Sequence, residues 1–218
     1  TNYAAQEFKA INANNLSVIP LGVDKEIFNE KRTNYEIRNH EQFPKLILCS
    51  RLSKEKNPEL AFKVLQLLVE HKMNPHLYVI GSGPWKKRLM AKYKNLPITF
   101  LGYINSRKEL AKYLASVDLV IAPGPNETFC LAALEALSCG TPVIASDKSA
   151  LKEILVNGGG TYVDENIDNW VEAVCTVALD QNIRSEALRN ANNYSWEQTV
   201  QKLLSLYCLT QPEKELVA

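Results

Sequence analysis

The chain has 218 residues, 46% hydrophobic and 22% charged, so it is long enough to bury a sizeable core and is neither disordered nor collagen-like. Lysine plus arginine total 25 against 24 acids, and a net charge of +1 excludes a global field for nucleic acid or an anionic membrane, so any anion site must be local. No apolar run approaches the roughly 18 to 20 residues that span a bilayer.

Residues 1–13 lack the apolar core of a signal peptide. The five cysteines are widely spaced, form no C-x-x-C pair, and read as reduced core thiols of a cytoplasmic protein. Residues 3–11 have the apolar spacing of a helix end, and with no methionine before Thr1 the chain reads as cut from something longer. Residues 16–21, LSVIPL, read as a short strand, with Gly22-Val23-Asp24 turning out of it. The charged, weakly patterned stretch 29–41 reads as a solvated connection between domains, because a long structureless loop inside one domain is uncommon. Residues 45–50, KLILCS, are the near-continuous apolar run of a central parallel strand. Asn57-Pro58 opens a helix to Glu70, with Leu60, Val64, Leu67 and Leu68 on one face.

The next strand, 77–80, leads through Gly81-Ser82-Gly83-Pro84 into a basic helix. The G-x-G falls short of a dinucleotide fingerprint, since Lys86 stands where the third glycine belongs. A strand over 98–101 ends in Gly102-Tyr103-Ile104, and a helix over 106–115 and a strand over 118–122 follow. Then comes the densest stretch: a turn holding Glu127, an alanine- and leucine-rich helix over 131–137 carrying Glu135, and a strand over 141–145. Residues 150–156 read as a helix ended by three glycines and 161–163 as a brief strand. Helices over 167–179 and 183–190 come next, and Ser195 caps a last helix whose Val200, Leu203, Leu204 and Tyr207 need a surface to cover.

Strand and helix in alternation predict an α/β fold, a doubly wound and mostly parallel Rossmann-like sheet with a helical C-terminal extension. Ligands of such a sheet sit outside the carboxyl ends of the strands. Three strand ends feed the loops of Arg51 and Lys56, of Gly81 to Gly83, and of 126–131, which makes them candidates for one crevice. Arg51 and Lys56 lie between a strand end and a helix start, where phosphate binds, although solvated loop charges have the same pattern. Glu127 and Glu135 stand with seven residues between them. Glu127 reads either as a helix-capping acid or as a ligand. Glu135 sits among Leu131, Ala132, Ala133, Leu134, Ala136 and Leu137, a setting that buries it and demands a partner. Cys130 lies near a helix N-terminus, where a thiolate is favoured, but no histidine is near in sequence. His40, His71 and His76 read as surface or helix-end residues, and there is neither a D-x-D pair nor a metal-ligand cluster.

Five segments, in order, carry a resemblance: VIPLGVDKEIF, SRLSKEKNPEL, VIGSGP, FLGYI and ETFCLAALEALSCGTPVIAS. The chain resembles the C-terminal, donor-binding domain of the retaining GT-B glycosyltransferases that use nucleotide-sugars, the glycosyl transferases group 1 or family 4-like group. The resemblance covers about residues 17–207. It implies that 1–22 are the remnant of an absent N-terminal domain, 23–43 an interdomain linker and 44–194 the nucleotide-sugar-binding domain. It makes 195–218 a helical segment packing back towards the absent domain. Glu127 would touch the transferred sugar, Glu135 the nucleotide ribose, and Arg51 and Lys56 the donor diphosphate. The amides near Phe129, Cys130 and Leu131 would face phosphate or sugar, while Gly81, Tyr103 and Ile104 would lie along the donor, the latter two near its base.

Two residues depart from the family pattern, Ser50 and Cys130, which stand where glycine is usual. Catalysis would neutralise a departing nucleoside diphosphate through Arg51, Lys56 and the helix start, without a metal or other cofactor. The donor is expected to be a nucleotide-sugar, with local resemblance to users of GDP-mannose. The acceptor would be a glycan, lipid or small molecule bound by the absent half, with peripheral membrane association of the intact enzyme as a further implication. The fragment alone would be inactive. Two alternatives stand beside this reading: a non-catalytic nucleotide-sugar-binding module, and another GT-B enzyme such as a nucleotide-sugar epimerase.

Overall fold

A computed structural model describes residues 1–210. The chain begins with α1 (Asn2–Ala10) and, after an extended segment, a single 3-10 turn and the short α2 (Tyr35–Arg38). Six strands follow in one sheet: β1 (Lys45–Cys49), β2 (His76–Ile80), β3 (Ile98–Gly102), β4 (Leu119–Ala122), β5 (Val143–Ser146) and β6 (Gly160–Val163). Their spatial order is β3-β2-β1-β4-β5-β6, and every neighbouring pair is parallel. The crossovers contain α3 (Glu59–Glu70), α4 (Lys86–Lys92), α5 (Arg107–Ser116), α6 (Leu131–Ser138) and α7 (Leu151–Leu155). Three more helices close the chain: α8 (Ile167–Leu179), α9 (Ile183–Ala191) and α10 (Trp196–Thr210).

The period-two geometry of a strand sends alternate side chains to opposite faces. Leu46 and Leu48 join Phe62, Leu65 and Leu68 of α3 and Trp170 and Val174 of α8, while Ile47 joins Ala111 and Leu114 of α5 and Leu134 and Leu137 of α6. Helices cover both faces, which is why KLILC is apolar throughout rather than alternating. Leu46, Ile47 and Leu48 are fully buried, each contributing about 1.5–3 kcal/mol.

Two expectations need correction. Residues 16–21 do not form a strand. They are extended but have no sheet neighbour, Leu16 and Val18 stay exposed, and the segment is tied instead to α10, where Thr199 Oγ1 donates to Pro20 O at 2.8 Å. The stretch 29–41 is no free solvated connection: Asn34 N donates to Ser116 Oγ at 2.7 Å, and Thr33 and Arg38 reach Ala115 O, so its short helical turns lie on the end of α5. Elsewhere the expected elements form within a residue or two. Ser195 caps α10, accepting from Gln198 N at 3.2 Å, and Val200, Leu203, Leu204 and Tyr207 are exposed on that helix. Residues 211–218 of the expected C-terminal helical segment lie outside the described residues.

Candidate functional site

β1 and β4 are neighbours whose onward connections leave towards opposite edges of the sheet, β1 to β2 and β4 to β5. At such a switch point the two following loops part and open a crevice above the carboxyl ends. The loop after β1 carries Arg51, exposed, and a 3-10 turn, Lys54–Lys56, that presents Lys56. The loop after β4 carries Glu127, Phe129 and Cys130. Lys56 Nζ donates to Glu127 Oε1 at 2.7 Å, a charge-assisted bond across the switch point between side chains only 29% and 15% exposed. Main-chain bonds fix the Glu127 turn: Ala150 N donates to Glu127 O at 2.8 Å, and Thr1 Oγ1 to Thr128 O at 2.6 Å.

Arg51, Gly81, Tyr103 and Ile104 line one crevice of about 500 Å³, together with Arg107. Lys56, Glu127 and Cys130 line a narrower cleft beside it, and the two share Cys49 and Ser50 as a common wall. Gly81 is required by close approach. It has φ +123°, and a Cβ there would lie 2.0 Å from Ser50 O, so the glycine lets the β1 and β2 loops close together. Tyr103 is 75% exposed beside this wall.

Cys130 holds the turn into α6 at φ +66° and ψ +78°, a left-handed conformation that disfavours a side chain. The family's glycine suits that backbone. Burial in an apolar setting, reinforced by the charge of Glu127, pushes the Cys130 thiol up to about 12. A thiolate at the helix start is therefore disfavoured, because desolvation outweighs the helix dipole, in keeping with the reading of the cysteines as core thiols. α6 starts at Leu131, 41% exposed, and the amides of Leu131 and Ala132 have no intrahelical acceptor. Phe129 turns inward and packs edge-on against Tyr194, with centroids 6.2 Å apart.

Glu135 lies one turn along α6 with its side chain 16% exposed, and desolvation raises its pKa from 4.5 to about 7, opposed by Arg107. Arg107 Nη2 lies 3.7 Å from Glu135 Oε1. This arginine is the member of the site that the residue pattern did not single out. It is the first residue of α5, where the dipole disfavours a cation, and that misplacement was the available signal. The sheet thus brings together Arg51, Lys56, Gly81, Tyr103, Ile104, Glu127 and Cys130, with Glu135 joined to them through Arg107 and Leu131 at the helix start. Phe129 supports the turn from behind.

A parallel sheet in this order, with its crevice at the switch point, is the doubly wound, Rossmann-like architecture of nucleotide-binding domains. Its profile matches the family described as glycosyl transferases group 1 over residues 30–194, and the chain belongs to that family. It is 38% identical over 210 residues to the GDP-mannose-dependent alpha-(1-6)-phosphatidylinositol dimannoside mannosyltransferase of Mycobacterium tuberculosis, covering 94% of this chain and 55% of that protein. The chain thus spans about half the length of the curated relatives it matches. Among solved structures, sucrose-phosphate synthase from Thermosynechococcus elongatus superposes with a TM-score of 0.80 at 21% identity, covering 95% of this chain and 56% of that one. Anabaena HepE, solved with UDP and glucose, superposes with a TM-score of 0.76 at 17% identity, covering 94% and 61%. At those identities the likeness is one of fold. No helix among the described residues is long and apolar enough to cross a membrane.

Proposed function

We propose that this chain is the donor-binding half of a retaining glycosyltransferase that moves a hexose, mannose from GDP-mannose, to an acceptor held by the rest of the protein. The observation that carries the proposal is the Lys56–Glu127 pair at 2.7 Å across the β1–β4 switch point, with Arg51 in the adjoining crevice and the free amides of α6 behind it. A nucleotide-sugar needs a cationic grip on its diphosphate, a hydrogen-bonding carboxylate at the sugar and an acceptor for the ribose hydroxyls, and these loops offer each.

Arg51 and Lys56 bind the diphosphate, with the amides of Cys130 and Leu131 at its sugar side. Glu127 orients the transferred sugar, and its pairing with Lys56 keeps the carboxylate beside the phosphate-binding cation rather than facing the anion alone. Gly81, Tyr103 and Ile104 border the base, and Glu135 accepts from the ribose hydroxyls. As the glycosidic bond breaks, charge grows on the departing diphosphate, and Arg51, Lys56 and the α6 dipole stabilise it in place. That provision makes the reaction metal-independent.

The name of the mycobacterial relative supports GDP-mannose as donor and a mannosylated phosphatidylinositol as acceptor. The test is to incubate the intact protein with GDP-mannose and a mannosylated phosphatidylinositol acceptor. GDP release coupled to an α-linked product supports the reading. No transfer from any nucleotide-sugar, or unchanged transfer in Arg51→Ala and Glu135→Ala, contradicts it.

A further inference from the structure

Arg107 sits at the amino end of α5, where the helix dipole works against a cation, yet it is held on three sides. Nη1 lies 3.5 Å from Asp24 Oδ2, Nη2 lies 3.7 Å from Glu135 Oε1, and Cζ stands 5.1 Å from the ring centroid of Phe28. The Asp24 carboxylate is itself fixed, since its Oδ1 accepts from Glu26 N at 3.1 Å and Ile27 N at 3.2 Å. Phe28 is fully buried, and Ser138 Oγ of α6 donates to its carbonyl at 2.7 Å. The segment GVDKEIF, which the donor site leaves unused, thus grips α6 at Ser138 and, through Asp24 and Arg107, at Glu135 three residues earlier. The contacts close a ring.

We propose that Arg107 is a positioning residue for the donor, favouring the ionised form of the Glu135 carboxylate and aiming it at the ribose, and that Asp24 aims Arg107. The inference rests on the reading of Glu135 as the ribose ligand. An ionised carboxylate accepts from two hydroxyls, and a protonated one must turn a donor into the same space. The Arg107 contact, at 3.7 Å, is too long to be a tight hydrogen bond, so it supplies charge while leaving the carboxylate lone pairs for the diol.

No other cation faces Glu135 from the elements packed on α6 among the described residues. Lys108, Glu109 and Lys112 of α5 line a separate cavity with Asn34 and Ile37. Strands β4 and β5 carry no titratable side chain. On α9, Arg184 is spent on Ala115 O, Val117 O and Thr141 Oγ1, while Glu186 and Arg189 pair with each other. Cys49, Cys130 and Cys139, also near the carboxylate, are each pushed up to about 12 by burial and stay neutral. Without Arg107, burial alone would decide the charge of Glu135.

The test uses the chain in two readouts, each followed between about pH 5.5 and 8.5. The first is carboxyl-carbon NMR of Glu135 without ligand, its resonance assigned by loss in Glu135→Gln. The second is calorimetric binding of GDP-mannose, a diester whose phosphates do not titrate in that range. We expect Arg107→Leu to move the Glu135 midpoint up by about one pH unit, and to weaken GDP-mannose about fivefold near pH 7, approaching about tenfold at lower pH and recovering towards high pH. Asp24→Asn should give a smaller shift in the same direction, and Arg107→Lys should restore most of the wild-type profile. A purely structural role would lower affinity equally at every pH and leave the Glu135 titration unmoved, and that result overturns the inference. If Glu135→Gln binds GDP-mannose as wild type does, the ribose reading itself fails. If Glu135→Gln weakens binding but Arg107→Leu shifts neither profile, only the Arg107 inference fails.

Discussion

Glu135 and Cys130 show how burial decides the chemistry of a side chain at this site. Because the folded-state pKa of Glu135 is raised from 4.5 to about 7, the folded chain holds one more proton than the unfolded chain between those values. Stability therefore falls as pH rises through that window and levels off above it. The shift corresponds to about 3 kcal/mol as an upper bound, lowered by partial exposure. Glu135→Gln should accordingly unfold at higher denaturant concentration than wild type at about pH 8 and lose that advantage near pH 4.5, a difference read from urea melts at the two pH values. For Cys130, Cys49 and Cys139, raised to about 12, we expect negligible alkylation by iodoacetamide in the folded chain at about pH 8 and full alkylation in urea. Cys130→Gly relieves a left-handed backbone worth about 1–2 kcal/mol and removes a small buried side chain. Its melting should stay close to wild type.

At the scale of elements, the site depends on loops pressed together at strand ends. Gly81→Ala would place a Cβ 2.0 Å from Ser50 O and force the β1 and β2 loops apart, which should destabilise the chain by more than about 2 kcal/mol and weaken donor binding. Gly102→Ala meets only Lys86 Nζ at 3.8 Å and carries the backbone term alone, about 1–2 kcal/mol, so comparing the two melts separates crowding from φ. Much of this layer was legible in the sequence. The apolar run KLILC, the capping Ser195 and the alanine-leucine stretch of α6 each encode their element locally. LSVIPL misled because a short apolar run does not say whether a neighbouring strand exists to pair with it, and the groups that hold it, Pro20 O and Thr199 Oγ1, lie far apart in the chain. The stretch 29–41 misled for the same reason: Asn34 is held by Ser116, a partner that composition does not reveal.

For the molecule as a whole, alternation of strand and helix foretold a parallel sheet, and the segments carrying Arg51, Lys56, Glu127 and Glu135 pointed to loops that the sheet brings side by side. The order β3-β2-β1-β4-β5-β6 was not legible, because β1 and β4, separated by three helices and two strands, carry no local mark of being neighbours. That order is what sets Lys56 against Glu127, and it is also why Arg107 escaped notice: its partners Asp24 and Glu135 meet it only after folding. If Arg51, Lys56 and the α6 dipole neutralise the departing diphosphate as proposed, transfer by the intact protein should be unaffected by excess EDTA. The most direct check on the central claim, that a nucleotide-sugar binds at the β1–β4 switch point, is calorimetric titration of this chain with GDP-mannose and with UDP-glucose. One-to-one binding of at least one of them, weakened at least about tenfold in each of Arg51→Ala, Lys56→Ala and Glu135→Gln, is the predicted result. Binding of neither, or binding that all three substitutions leave unchanged, would contradict it.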